Sequence, residues 1–410
     1  MKLKQDKKWK ALIVGFEKES LAELKGLVDT LGMRAVETVE FKFRGICAHS
    51  LLSSGRLERV KERVLAGRMD TVVFDNELTP AQYKNLEKSL KCVVVDRTEL
   101  ILQIFALHAK TSQAKLQIEI AQLRYLMPRL RKMWTHFSRI HGGIGGRGGL
   151  GETQLEIDRR RLSDRINRLE KKLKIISRRA DQEVQARENC FKIVLIGYTN
   201  VGKSTLLNHL TGANVLVDDK LFATLDTVSR KIKFKNGVPI VITDTVGFIN
   251  KLPHNLVASF TATLTEINHA DLLVYVLGAN ERNPQNQYDT IKSVLKELGA
   301  HDKPYLTVFN KIDAVKERFR IGELKGVYND AYFVSATKKI GLKKLTNAFI
   351  NEAEKCFSRV DVTLGFHEGQ WLDYFKKHGR ILKIQYVPEG VRVSSFISQN
   401  VLNHFYHNRN

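Results

Sequence analysis

One glycine-rich segment constrains the fold of this chain more than any other feature. Residues 197–205 read GYTNVGKST, which matches the pattern G-x-x-x-x-G-K-[ST], and they continue directly from the apolar run FKIVLI. The segment TLLNHL that follows has the apolar spacing of a helix. A buried strand, a glycine-rich turn and a helix in this order form a phosphate-binding loop within a parallel α/β domain. The sequence therefore predicts an α/β fold that binds a nucleoside triphosphate.

The residue types in this loop suit phosphate chemistry. Glycines allow successive backbone amides to face the phosphates, a lysine reaches the β and γ phosphates, and a serine hydroxyl ligates magnesium. The lysine and the serine here are Lys203 and Ser204. By itself the motif indicates a triphosphate and does not select the base. The residues predicted to contact the nucleotide in this loop are Gly197, Tyr198, Thr199, Asn200, Val201, Gly202, Lys203 and Ser204.

A second motif selects the base. The apolar strand YLTVF leads into NKID, which places Asp313 three residues after Asn310. An aspartate there can accept hydrogen bonds from both the ring N–H and the exocyclic amine of guanine, a pair of donors that adenine lacks. After another apolar run, the segment SAT is expected to bring a backbone amide to the guanine carbonyl oxygen. The predicted guanine-binding residues are Asn310, Lys311, Ile312, Asp313, Ser335, Ala336 and Thr337.

Two segments between these motifs are predicted to respond to the γ-phosphate. The strand VPIVITD ends at Asp244, which is placed to hold magnesium through water, and the Gly247 amide can contact the γ-phosphate. In the segment LFATLD, Thr224 can close on magnesium; read alone it is an ordinary loop threonine. The predicted contacts are Phe222, Ala223, Thr224, Leu225, Asp226, Asp244, Thr245, Val246 and Gly247, with Ser204 and Thr224 as metal ligands.

Three residues are candidates for a catalytic role. Lys203, Thr224 and Gly247 are expected to act on the phosphates in the transition state, and no general base is assigned. Phe248 stands where Ras-like enzymes carry a glutamine that orients water, and an apolar ring cannot do this. Intrinsic hydrolysis should therefore be slow. Asn200 is a candidate ligand for a potassium ion beside the phosphates, which would supply the missing positive charge.

The charge of the chain is uneven and points to a polyanionic partner. The 410 residues carry a net charge of +23, and residues 101–190 contribute +10 of it. Such a segment predicts contact with RNA, DNA or an acidic membrane surface, whereas the alternative is a solvated helical face. A solvated helix usually alternates positive and negative residues, whereas this segment has a large excess of positive residues. The charge therefore favours nucleic acid.

The pattern of apolar residues divides the chain into four parts. Residues 1–107 alternate short β-branched runs with helical stretches, which predicts a small parallel α/β domain. Residues 108–190 predict an antiparallel helical hairpin around the glycine cluster 142–149. In its second helix, a capping box begins at Thr153 and an apolar seam follows. Residues 191–357 form a Ras-like P-loop domain, and residues 358–410 a small α/β appendage with one helix and two strands. The seam consists of Leu162, Ile166, Leu169, Leu173 and Ile176.

The cysteines and the apolar runs bear on the compartment. Four scattered cysteines show no disulfide or zinc spacing, which fits a reducing environment. No apolar run is long enough for a signal sequence or a membrane span. We expect a cytoplasmic monomer, with membrane association at most peripheral.

These motifs together resemble the HflX family of translational GTPases. The matching stretches include GGIGGRGGLGETQLEIDRR, GYTNVGKSTLLNHLTG, LFATLD, DTVGFINKLPHNLVASFTATLTE and NKID, and they follow the family's order between Asp75 and Thr337. The resemblance implies magnesium-dependent GTP hydrolysis that is stimulated by the large ribosomal subunit and used to split or rescue stalled ribosomes. It also implies that the basic hairpin reaches ribosomal RNA, and no DNA partner is expected. The chain departs from the family where GGLGETQLE lacks the usual proline.

Two classes of function follow from the sequence. The first is an enzyme whose GTPase cycle drives a step on the ribosome. The second is a regulatory module that senses GTP or GDP while it is bound to RNA or to a membrane-associated partner, with incidental turnover. Stimulation of hydrolysis by the large subunit would distinguish the first class from the second.

Overall fold

The chain divides into two compact units. The computed structural model describes residues 8–43, 45–130, 150–185, 190–212, 222, 227–233, 239–249 and 265–409. Within these residues, the first unit extends to Ile176 and includes Phe222, and the second takes the rest. None of the helices among them combines the length and the apolar character that a membrane span requires.

The first unit contains the predicted parallel sheet. Its order is β2-β1-β3-β4, and every neighbouring pair is parallel. Strands β1, β3 and β4 are apolar runs whose side chains are mostly buried, as expected for a parallel sheet, whereas the edge strand β2 carries charged residues and is largely exposed. The strands are β1 (Lys10–Gly15), β2 (Arg34–Glu40), β3 (Thr71–Phe74) and β4 (Val93–Asp96). The helices are α1 (Lys18–Thr30), α2 (Ser54–Gly67), α3 (Pro80–Leu90) and α4 (Arg97–His108).

Buried ion pairs hold the carboxyl edge of this sheet. Arg97, which is 2% exposed, donates from Nη1 to Asp75 Oδ1 at 2.8 Å, and the Ser20 hydroxyl donates to the same carboxylate at 2.8 Å. Arg129 donates to Asp96 at 3.3 Å and to the Leu78 carbonyl at 2.7 Å. Because a buried charge must be paired, these two arginines serve the fold and do not contribute to a basic surface.

The helical linker is confirmed, but its two described helices run in the same direction. Helix α5 spans Ser112–Leu126 and helix α6 spans Leu150–Gln185. One ion pair joins Glu119 of α5 to Arg165 of α6, and a second joins Arg124 of α5 to Glu170 of α6 at 2.6 Å. In both ion pairs the two residues are 46 positions apart in the sequence. In an antiparallel pair this separation would shrink, so the predicted antiparallel orientation is wrong for α5 and α6.

The predicted seam of α6 is partly confirmed, and its predicted start is wrong. Ile166 and Leu169 are buried against Ile120 of α5, and Leu173 packs beside them. Thr153 lies inside α6, so it is not the N-cap, because an N-cap residue must have non-helical backbone angles. The glycine cluster 142–149 lies outside the described residues. Seven basic residues of α6 are exposed: Arg159, Arg160, Arg161, Arg165, Arg168, Lys171 and Lys172.

The second unit is built on a six-stranded sheet of order β10-β9-β8-β5-β7-β6. All neighbours are parallel except β6, which is antiparallel to β7. The strands are β5 (Phe191–Gly197), β6 (Val228–Lys233), β7 (Pro239–Asp244), β8 (Leu272–Gly278), β9 (Tyr305–Asn310) and β10 (Tyr332–Phe333). The described helices are α7 (Lys203–Thr211), α8 (Thr265–Asn268), α9 (Pro284–Glu297), α10 (Arg318–Val327) and α11 (Leu342–Cys356). The predicted P-loop motif thus lies at the carboxyl end of a central strand.

A small antiparallel sheet of order β11-β13-β12 follows within the second unit. Its apolar face is covered by two helices through Trp371, Phe375 and Phe405. The elements are β11 (Phe357–Leu364), α12 (Gly369–His378), β12 (Gly379–Val387), β13 (Gly390–Ser398) and α13 (Gln399–Arg409). The predicted helix and two strands are confirmed as α12, β12 and β13. The sequence did not reveal β11 or α13.

Candidate nucleotide-binding site

The glycine-rich loop joins β5 to α7 in a backbone conformation that its sequence allows. Asn200 and Gly202 both have left-handed backbone angles, with φ of 60° and 89°. A Cβ atom added at Gly202 would lie 2.4 Å from Asn310 Nδ2, so a larger residue cannot occupy this position. Gly202 is also the N-cap of α7, and the free amides of a helix N-terminus attract anions. The loop is therefore shaped for phosphate binding.

Lys203 lies buried at the centre of this loop. Its Nζ atom donates to the Gly197 carbonyl at 3.0 Å and to the Tyr198 carbonyl at 2.8 Å. Burial lowers the pKa of Lys203 to about 8, and the carboxylate of Asp244 offsets only part of this effect. The ammonium ion is thus held in place before a nucleotide arrives.

The low pKa of Lys203 predicts that nucleotide affinity depends on pH. Below pH 8 the ammonium is charged and attracts phosphate, and the charge is lost as the pH rises through about 8. Between pH 7 and pH 9 we expect the dissociation constant for GTP to rise about tenfold, because bound phosphate raises the lysine pKa again. Calorimetric titration in two buffers at pH 8.5 should show uptake of about three quarters of a proton. A dissociation constant that stays flat up to pH 8.5, with no proton uptake, would contradict the assignment.

A hydroxyl and a carboxylate meet beside the lysine. The Ser204 hydroxyl donates to Asp244 Oδ2 at 2.6 Å, and Asp244 is fully buried at the end of β7. The Thr245 hydroxyl donates to the Leu195 carbonyl at 2.7 Å, which fixes the chain just after Asp244. Magnesium prefers oxygen ligands and is usually held by one or two protein groups together with phosphates and waters. This pair fits such a site.

The segment after Asp244 is bonded directly to the glycine-rich loop. The Thr199 amide donates to the Phe248 carbonyl at 2.8 Å, and the Phe248 amide donates to the Gly197 carbonyl at 3.0 Å. A Cβ atom added at Gly247 would lie 2.7 Å from the Thr199 backbone, so only glycine permits this approach. The Phe248 side chain is 5% exposed and belongs to the core of the sheet. The ring is thus fixed in the core, away from water.

Asn310 connects three loops of the site. Its Nδ2 atom donates to the Val201 carbonyl at 2.9 Å, and its Oδ1 atom accepts from the Ala336 amide at 2.9 Å. Beside it, Lys311 Nζ donates to Asn200 Oδ1 at 3.2 Å. The structure therefore brings NKID and SAT against the phosphate loop, although they are separated by more than a hundred residues.

The remaining base-binding candidates differ in exposure. Ser335 is buried, and its hydroxyl accepts from the Lys338 amide at 3.0 Å, which closes the turn after β10. Asp313 and Thr337 are exposed, and Ile312 is half-buried. Asp313 lies in the 3-10 turn Ile312–Ala314, so its carboxylate is open to a ligand.

One predicted segment lies largely outside the described residues. This applies to Ala223, Thr224, Leu225 and Asp226, so Thr224 stays a predicted metal ligand. Phe222 is described; it is buried, and its ring packs edge-on against Phe105 of α4 with centroids 4.6 Å apart. The sequence did not reveal this contact, because an isolated phenylalanine before ATLD carries no signal for a distant partner.

The chain is similar to known GTPases over most of its length. A family model described as the N-terminal region of GTP-binding GTPases matches residues 18–106, and one described as their middle region matches residues 108–187. A model described as 50S ribosome-binding GTPase matches residues 192–311. A GTPase HflX from Caldanaerobacter subterraneus is 40% identical over 384 residues, which cover 93% of this chain and 88% of the relative. The GTPase HflX of Escherichia coli is 43% identical over 301 residues, covering 73% and 70%.

Solved structures include similar chains of comparable extent. A GTP-binding protein from Sulfolobus solfataricus in complex with GDP is 25% identical, with a TM-score of 0.45. The similarity covers 84% of this chain and 99% of that one. The expected fold class, with a parallel sheet, a helical linker and a P-loop domain, is confirmed.

Proposed function

The chain belongs to the HflX family of GTPases, and on this basis we propose that it couples GTP hydrolysis to the large ribosomal subunit and splits or rescues stalled ribosomes. GTP and GDP are its nucleotides. The main structural support is that Asn310 of NKID is hydrogen-bonded to both the phosphate loop and the SAT segment. These three segments together can recognise both the phosphates and guanine. The exposed basic residues of α6 support an RNA partner. We also propose that the protein works in the reducing cytoplasm, where ribosomes are found.

In this proposal each group near the phosphates has one task. Lys203 neutralises the β and γ phosphates. The Gly247 amide binds the γ-phosphate once the hydrogen bonds between the Phe248 backbone and the phosphate loop, here called the Phe248 bridge, rearrange. Ser204 and Asp244 would hold magnesium, with Thr224 as a further ligand. Bound there, magnesium would neutralise the charge that develops on the phosphates. Asp313 accepts from guanine, and the Ala336 amide, already held by Asn310, orients the loop beside the base.

The group that positions the attacking water comes from outside this set. Phe248 is buried in the core and has no polar atom on its side chain, so it cannot replace a glutamine. We propose that the ribosomal subunit supplies the group that positions the water, and that a potassium ion supplies additional positive charge beside the phosphates. Asn200 Oδ1 is the candidate potassium ligand. It accepts from Lys311 at 3.2 Å, so a potassium ion there would share this oxygen with the lysine ammonium.

Turnover measured with and without purified large subunits tests this function. We expect slow intrinsic hydrolysis of GTP and an increase of about a thousandfold or more with the subunit, which is the order that a supplied charge gives in other GTPases. ATP and the small ribosomal subunit should give no increase. Replacing potassium by sodium should lower the stimulated rate if Asn200 binds the cation.

The outcomes separate two functions. Stimulation by the large subunit, together with dissociation of intact ribosomes in a gradient, supports the enzyme that acts on ribosomes. GTP binding without stimulation by either subunit would contradict it and favour a nucleotide-sensing regulatory module that binds RNA or a peripheral membrane partner. Equal rates in potassium and sodium would remove the potassium assignment and leave the ribosomal one intact.

A further inference from the structure

The small antiparallel sheet has an open polar face that the nucleotide site does not use. The pairing register places opposite residues of the three strands on the same face. Three rows result: Thr363, Arg392 and Gln385; Asp361, Ser394 and Lys383; Arg359, Phe396 and Arg380. We call this set the outer face. The opposite face carries Val360, Val393 and Ile397, and it is covered by α12 and α13.

The outer face is accessible to a large partner. Arg392, Lys383 and Gln385 are exposed, and the Arg359 and Asp361 side chains are 62% and 53% exposed. Phe396 is half-buried because it packs against the core of the six-stranded sheet. The outer face therefore abuts the P-loop domain at its Phe396 end, and the exposed side chains lie mainly in the rows beyond it. The family models reported above end at residue 311 and do not cover it.

The charges on this face have almost one sign. Four cationic side chains stand against the single carboxylate of Asp361. That carboxylate accepts from the Ser394 hydroxyl and lies 3.4 Å from Arg359 Nε, so it is already neutralised within the face. An ordinary solvated face mixes charges of both signs. The outer face thus presents unbalanced positive charge on a rigid sheet.

We infer that the outer face binds the sugar-phosphate backbone of RNA. Guanidinium groups match phosphate oxygens with two parallel hydrogen bonds, and hydroxyl and amide side chains donate to phosphate and sugar oxygens. The face offers these groups on three adjacent strands about 4.8 Å apart, so neighbouring contacts can follow one backbone. The inference rests on the proposed association with the large ribosomal subunit and assigns a second RNA-binding surface besides α6.

A charge-neutralising double substitution tests the inference on the full-length protein. Lys383→Gln with Arg392→Gln removes two cations from the outer face, and Lys376→Gln with Lys377→Gln removes two from α12 on the other side of the sheet. Binding to purified large subunits is measured with a non-hydrolysable GTP analogue over a range of salt concentrations. The outer-face variant should bind about tenfold more weakly and lose about two from the slope of log affinity against log salt. The α12 variant should behave as wild type.

A second substitution should raise the affinity for the subunit, an effect that misfolding cannot produce. Asp361→Asn removes the only acid of the face and releases Arg359, so affinity for the subunit should rise about threefold. GTP titration and thermal unfolding confirm that each variant is folded. No rise for Asp361→Asn, together with equal binding by both double variants, would overturn the inference.

Two further outcomes are informative. If the outer-face variant loses affinity for whole subunits but binds protein-free large-subunit RNA like wild type, the partner is an acidic protein and the RNA inference is wrong. If the wild-type chain binds no large subunit at all, the proposed function fails and this inference falls with it. Loss on the subunit and on the protein-free RNA, with intact nucleotide binding, supports it.

Discussion

Replacing Lys203 by alanine abolishes tight binding of GTP, and this is the largest effect that we expect. The buried ammonium is fixed by the carbonyls of Gly197 and Tyr198, so we expect it to meet the phosphates without reorganisation. Removing a buried, hydrogen-bonded charge costs about 2–5 kcal/mol, which corresponds to a loss of affinity of about thirtyfold to several thousandfold. Equilibrium titration with a fluorescent GTP analogue measures the loss directly.

A matched lysine separates this effect from general charge. Lys296 is exposed on α9, and Lys296→Ala removes the same charge from the same unit. Its GTP affinity should equal that of the wild type. A Lys203→Ala protein that binds GTP as tightly as Lys296→Ala would show that Lys203 does not contact phosphate.

The second large effect is a change of base specificity in Asp313→Asn. The carboxylate is predicted to accept from two donors of guanine, whereas an asparagine amide offers only one acceptor and adds a donor. Binding of GTP should weaken by about a hundredfold or more, because an unmet donor in a polar pocket is strongly disfavoured. Binding of XTP should strengthen, because xanthine presents a carbonyl oxygen where guanine carries its amine.

The exchange of bases makes the test specific. Competition between GTP and XTP is measured for the wild type, for Asp313→Asn and for Asp330→Asn, which changes an exposed aspartate of the same unit. Only Asp313→Asn should invert the preference. An unchanged preference for GTP would place guanine recognition elsewhere, whereas weaker binding of both nucleotides would indicate damage to the turn Ile312–Ala314.

The parts of the structure that depend on short stretches of sequence could be predicted. A phosphate loop is one strand, one turn and one helix in succession, so its residues specify it locally. The strands β1 to β4 were recognisable because each is a run of β-branched residues between helical segments. Helix α12 and the adjacent strands β12 and β13 could be predicted for the same reason, because each depends on a short stretch of sequence.

Contacts between distant residues could not be predicted. The bonds from Asn310 to Val201 and Ala336 span 109 and 26 residues, and no pattern in NKID reveals them. The direction of α6 against α5 depends on which faces meet, and an apolar seam fits either direction equally well. The capping-box pattern at Thr153 was misleading because helical backbone begins before it. Strand β11 alternates charged and apolar residues over a short length, and it becomes recognisable only beside β13.

The bridge between Phe248 and the phosphate loop has a consequence for how the family can vary. Both hydrogen bonds use backbone atoms, so many side chains at this position preserve them, and packing alone restricts the choice. A polar side chain there would have to leave the core or lose its hydrogen bonds. The position therefore suits exchange of one apolar residue for another and disfavours a glutamine. Under the proposed function, faster turnover would therefore have to come from other positions or from the partner, because the packing around Phe248 disfavours a polar side chain.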